Sequence, residues 1–119
     1  MKVLADSSIW IEHLREGIRE FNALLDKDAV GVHPYVVGEL ACGTLPDRES
    51  FLETLACMPK TSTVSHDEAM AFLDMHKLAG QGLGWIDANL LASALVSGVS
   101  LWTRDKALQR AAEKLRIAF

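Results

Sequence analysis

Asp6, Glu39, Asp87 and Asp105 are the residues of this sequence whose types and settings point to chemistry. Glu39 is the only charged residue between Asp28 and Asp47, and Asp87 is the only one between Lys77 and Arg104. A carboxylate among apolar neighbours loses hydration and needs a compensating partner. Hard divalent cations meet that need, because Mg²⁺ and Mn²⁺ prefer oxygen ligands and neutralise a cluster of acids. An ion held in this way lowers the pKa of an attacking water, aligns it with a phosphodiester and offsets charge on the phosphate, so the chemistry implied is phosphodiester hydrolysis. Each acid also has a plainer role open to it. Asp6 and Asp105 can cap helices, Asp87 can sit in a favourable first helical turn, and Glu39 can lie on a solvated helix face.

The elements that must position these acids follow from periodicity and turn chemistry. Val3-Leu4-Ala5 reads as a short buried strand, and Asp6-Ser7-Ser8 caps an amphipathic helix from Ile9 to Leu14. After Gly17, the spacing of Ile18, Phe21, Leu24 and Leu25 predicts a second helix, and Ala29 to His33 a second strand. Pro34 suits a first helical turn and opens a helix from Tyr35 to Cys42, ended by Gly43. A further helix is expected from Arg48 to about Met58, and the β-branched run Thr61 to Ser65 predicts a strand. Ser65 with Glu68 forms a capping box for a helix to about Ala79. A flexible Gly80, Gly82 and Gly84 connection leads into a buried helix from Ile86 to Gly98. Val99 to Thr103 then reads as a strand, Ala107 to Leu115 as a last amphipathic helix and Ile117 to Phe119 as an edge strand.

Alternating strands and helices predict a single α/β domain over residues 1–119, with a mainly parallel sheet of about four or five short strands flanked by helices. In such a sheet the functional crevice lies beyond the carboxyl ends of the strands, and Asp6 and Asp105 both follow strands closely. A phosphoacceptor receiver domain, also α/β with an acidic Mg²⁺ pocket, fits poorly: it needs clustered acids after its first strand, and Ala5-Asp6-Ser7 supplies one.

Four segments in order, Asp6-Ser7-Ser8, Val36-Val37-Gly38-Glu39-Leu40, Trp85-Ile86-Asp87-Ala88-Asn89-Leu90-Leu91-Ala92 and Thr103-Arg104-Asp105, resemble the PIN-domain nucleases, and among them the VapC toxins of bacterial toxin-antitoxin pairs. The resemblance covers nearly the whole chain and implies a Mg²⁺- or Mn²⁺-dependent endoribonuclease whose four acids converge at the carboxyl end of the sheet. Carried over residue by residue, it implies Asp6 and Asp87 as direct metal ligands, Glu39 and Asp105 as the rest of the catalytic cluster, and Ser8 and Thr103 as supporting hydroxyls. Either Glu39 or Asp105 then serves as general base. The resemblance also implies RNA as substrate, a homodimer, and a cognate VapB-type antitoxin whose basic side chain enters the carboxylate pocket. The alternative from a different class is a catalytically silent PIN-fold interaction module.

Charge and composition bound these readings. The net charge of −4 excludes a uniform basic coat for nucleic acid, yet residues 104–119 carry five basic side chains against two acidic ones, beside Asp105. Arg104, Lys106, Arg110 and Lys114 are therefore expected to meet RNA phosphates. Two cysteines without C-x-x-C spacing suggest neither a disulfide framework nor a zinc site, and both are expected in the core. His13, His33, His66 and His76 lack ligand spacing and are expected to be structural or exposed, and Trp10, Trp85 and Trp102 to be core or interface. Met1 runs directly into the first strand, so no signal peptide is expected, and the apolar stretch from Leu78 to Thr103 is too interrupted for a membrane span. A cytoplasmic protein is the expectation.

Overall fold

Three short parallel strands, β1 (Val3–Ala5), β2 (Val30–Gly31) and β3 (Ser100–Trp102), form the centre of the computed structural model, which describes residues 1–119. Their order is β2-β1-β3, with Val3 opposite both Val30 and Ser100, and Ala5 opposite Trp102. All of β1 is buried, as a central strand covered on both faces must be. Asp6, His33 and Thr103, the residues reached on leaving the three strands, therefore come to the same end of the sheet.

Seven helices surround it: α1 (Ser7–Glu16), α2 (Arg19–Asp26), α3 (Pro34–Ala41), α4 (Arg48–Ala56), α5 (His66–Met75), α6 (Trp85–Ser97) and α7 (Lys106–Lys114). α1 packs against β1 and α3, while α6 lies against β1 and β3 and supports α5 and α7. From Ala88 to Ala94 every residue of α6 is buried, which explains why its sequence is apolar all round. Gly98 ends α6 in the left-handed region at φ 67° and returns its N–H to the last turn, a conformation that costs a β-carbon-bearing residue far more.

The helices follow the sequence closely, with the Ser65–Glu68 capping box formed in both directions. α5 stops at Met75 and not near Ala79, because Lys77 turns left-handed at φ 53° and the Leu78 N–H bonds back to the Leu73 carbonyl at 3.0 Å, burying Leu78. The sheet holds three strands, fewer than the four or five expected. Val32 leaves the β1 ladder and meets Lys60 in a single parallel bridge, after which Ser62 donates to Ser97 Oγ at 2.9 Å, so Thr61 to Ser65 is not a strand. Ala118 makes a similar single bridge to Leu101 on the other edge. The outer segments occupy strand positions but are too short to propagate a ladder.

Cys42 and Cys57 are exposed, contrary to the expectation of core cysteines. They are the C-cap residues of α3 and α4, and their position at helix ends decides their exposure over their apolar character. Trp10 and Trp102 are core residues, whereas Trp85 is exposed and tilts against His66 at 5.0 Å.

Candidate active site

The capping and clustering roles of the acids turn out to be compatible. Asp6 caps α1, its Oδ1 accepting from the Ile9 N–H at 3.3 Å, and Asp105 caps α7, its Oδ2 accepting from the Leu108 N–H at 2.9 Å. Asp87 sits in the first turn of α6 and its Oδ2 accepts from the Gly84 N–H at 3.0 Å. Three helix N-termini thus converge on the carboxyl end of the sheet, each carrying one acid.

Asp6 is only 6% exposed, so its carboxylate depends on donors from the protein. Ser8 Oγ donates to Oδ1 at 2.5 Å, and Thr103 Oγ1 donates to Oδ2. Each hydroxyl is itself oriented: the Arg104 N–H donates to Ser8 Oγ at 2.9 Å and the Asp105 N–H to Thr103 Oγ1 at 3.0 Å. Because both hydroxyl oxygens accept from the backbone, their protons are directed at Asp6. A second tie joins the same two elements, since the Arg104 guanidinium pairs with Glu12 on α1 through contacts of 3.0 and 3.1 Å. That contact raises the Arg104 pKa and lowers that of the partly exposed Glu12, in both cases chiefly through their shared hydrogen bonds.

Burial pushes the Asp87 carboxyl upward; the Gly84 N–H opposes this, and the negative charges of Asp105 and Asp6 raise it further. Asp87 therefore feels the charge of both Asp105 and Asp6. Glu39, like Asp105, is exposed; it lies on α3 and makes no hydrogen bond or ion pair with the chain.

The donor set suits a hard divalent cation: carboxylate oxygens only, one of them buried, with Oδ1 of both Asp87 and Asp105 accepting no hydrogen bond from the chain. No three acidic or histidine side chains stand close enough to make a finished ligand cage. The three acids are neighbours whose mutual repulsion a cation would relieve.

Ser8 and Thr103, the two hydroxyl residues named with the acids, both donate to Asp6. Glu12 was missed, although its position four residues after Ser8 places it on the same face of α1 and was a usable signal. His33 is structural, as expected: buried two residues after β2, it accepts the Tyr35 N–H on Nδ1 at 3.0 Å and so starts α3, and burial lowers its pKa.

Thr103→Val keeps the shape and removes one donor from a buried carboxylate. The unsatisfied oxygen is expected to cost about 1–3 kcal/mol, and activity to need on the order of 10–100-fold more Mg²⁺, as for lost second-sphere partners. A Mg²⁺ titration of cleavage checks this. A curve superposable on the parent's leaves Thr103 a purely structural role.

The PIN domain family model matches residues 3–114 of this chain. Ribonuclease VapC32 of Mycobacterium tuberculosis, in strains H37Rv and CDC 1551, is 44% identical over 117 residues, covering 98% of this chain and 94% of that protein. Among solved structures, PAE2754 from Pyrobaculum aerophilum superposes over 100% of this chain and 88% of its own, at a TM-score of 0.70 and 17% identity. FitAcB from Neisseria gonorrhoeae does so over 94% of each chain, at a TM-score of 0.59 and 18% identity. These two likenesses concern the fold, and the match to VapC32 carries the narrower assignment: the chain belongs to the PIN-domain family, among its VapC-type members.

Proposed function

We propose that this protein is a Mg²⁺- or Mn²⁺-dependent endoribonuclease, the toxin of a type II toxin-antitoxin pair acting on cytoplasmic RNA. The observation that carries the reading is the buried, doubly hydroxyl-bonded Asp6 beside Asp87, whose ionisation the neighbouring acids oppose. Asp6 and Asp87 would hold the cation, which when bound supplies charge neutralisation at the phosphate and acidifies the attacking water. Asp105 serves as the base. Its Oδ1 accepts no hydrogen bond, and its charge bears on Asp87 where Glu39's does not. It takes one proton from water as the water oxygen bonds to phosphorus and the bond to the ribose oxygen breaks, and that leaving oxygen takes up a proton from solvent to become a hydroxyl. Glu39, one and a half turns into α3, completes the proposed acid cluster.

The surface supports the proposed partners. α5 and α6 pack together and leave Met70, Met75, Leu95 and Val96 exposed, an apolar area suited to a second copy of the chain. A separate cleft between α1 and the segment after α3, lined by Ile11, Leu14, Leu40, Leu45 and Pro46, suits the apolar face of an antitoxin helix. No helix is long and apolar enough to cross a membrane.

Sequencing the RNA ends made by purified protein, with Mg²⁺ or with EDTA, tests the activity. Defined ends are expected with Mg²⁺ alone and none from Asp6→Ala. Identical ends from Asp6→Ala, or cleavage that EDTA leaves untouched, would remove the proposal.

A further inference from the structure

Next to the acid cluster, the end of β3, the start of α7 and the last residue bound a groove of about 430 Å³, within the range of roughly 300–1,000 Å³ typical of small-ligand sites. Thr103, the donor to Asp6, is one of its walls, so the groove and the cluster are continuous. No side-chain carboxylate lines it, and Arg104, Lys106 and Arg110 do. Arg104 spends its charge on Glu12, in the only ion pair of the molecule. Lys106 and Arg110 have no such partner, and their spacing of four places them on one face of α7. Lys114 stands apart, donating to the His76 carbonyl at 3.3 Å. The groove also offers an aromatic surface: Phe119, 37% exposed, leans on buried Trp102 with ring centroids 4.8 Å apart and planes at 40°. The Arg104 guanidinium lies 5.8 Å from the Trp102 ring on the same wall.

Two free cations beside a supported aromatic face match a phosphate and a base together. We propose that this groove is a nucleotide subsite, taking the nucleotide adjacent to the one that is cut, with its phosphate on Lys106 and Arg110 and its base against Phe119. A base within a duplex is already stacked on both faces, so the subsite selects RNA that is unpaired beside the cut. This inference rests on the ribonuclease reading and deepens it.

The test measures anisotropy of a short fluorescent single-stranded RNA in EDTA, where no metal-dependent cleavage proceeds, across a range of salt. Loss of the one phosphate held by both side chains in Lys106→Ala/Arg110→Ala should lower the log affinity against log salt slope by about 0.7, the value for one single-strand phosphate contact. The charge-preserving Lys106→Arg/Arg110→Lys should retain the slope. Phe119→Leu, which keeps an apolar contact with Trp102, should weaken binding about tenfold without altering the slope, and should leave binding of the same sequence as a duplex unchanged. Parent slope and affinity in the double alanine variant overturn the subsite, as does an oligoglutamate of equal charge binding as well as RNA, which reassigns the groove to acidic peptides. Cleavage in Mg²⁺ by the same preparations separates the two readings. An active parent with an unaltered salt slope in the variant removes the subsite alone, and a reduced slope in a protein that cuts no RNA removes the nuclease assignment alone.

Discussion

Asp87→Asn is expected to abolish RNA cleavage, by at least about a thousandfold, or some 4 kcal/mol of barrier, while making the metal-free protein more stable. Both effects come from the same charge. Asp87 is held among Asp6 and Asp105 in a partly buried position, and its pKa is raised, by burial first and by those two acids besides. A carboxyl whose folded pKa lies above its unfolded one favours the folded state while protonated. Its contribution is fully present below the usual carboxylate range and is lost as pH rises through the folded pKa. At neutral pH the parent therefore carries a penalty that the neutral amide lacks, and asparagine keeps an oxygen for the Gly84 N–H. A gain in stability at pH 7 is therefore expected. It should shrink on acidification, as the parent's own carboxyl takes up its proton.

Divalent metal should invert that ranking. Mg²⁺ bound only by the folded parent stabilises it by about 2.7 kcal/mol at a hundred times its Kd, and the amide variant should gain little. Thermal melts of both proteins at several pH values, with Mg²⁺ and with EDTA, check all of this together. A variant that is less stable than the parent in EDTA at pH 7 contradicts the electrostatic account, and one that cuts RNA at the parent's rate contradicts the role of Asp87.

The parts of the site that could be read from the sequence are those where local rules and function coincide. Asp6 and Asp105 follow strands and cap helices, so capping preference and strand order lead to the same end of the sheet. Asp87 is legible for a similar reason, as the lone charge at the start of a helix otherwise apolar throughout. Glu39 was named for its isolation in sequence, but isolation does not fix direction: α3 buries Val36 and Leu40 and turns Glu39 outward. The outer strands were over-read for a comparable reason. Thr61 to Ser65 has β-branched composition, yet whether a ladder propagates depends on how long the neighbour stays alongside, and Val32 is followed at once by the residue that starts α3. The Arg104–Glu12 pair joins residues 92 positions apart and the Phe119–Trp102 contact joins β3 to the last residue. The spacing of four between Ser8 and Glu12 marks their shared helix face, but no periodicity marks either long-range partner.

Phe21→Ala is expected to cost about 3–5 kcal/mol, a large share of the roughly 5–15 kcal/mol that holds a domain together, though Phe21 is none of the proposed catalytic acids. Phe21 is the only buried residue of α2 and is fully enclosed. Its ring meets Trp10 edge to face at 4.8 Å, His13 at 4.8 Å and Trp102 at 5.8 Å. Truncation removes those contacts and leaves a void that α1 and β3 cannot both collapse to fill, since the Ser8 and Glu12 ties to Arg104 fix their separation. The ring thus supports from behind the two elements that carry Asp6 and Thr103, and α2 reaches the site only through it. Urea denaturation should show the loss as a lower midpoint at unchanged slope, with Tm falling by at least about 10 °C; Phe21→Leu should recover most of it. Activity per folded molecule, assayed well below the new midpoint, should fall modestly at most, because the hydroxyl and backbone bonds that orient Asp6 remain. A loss under about 1 kcal/mol would mean that the core repacks freely around α2, and the acids would then owe their placement to the α1 and β3 ties alone.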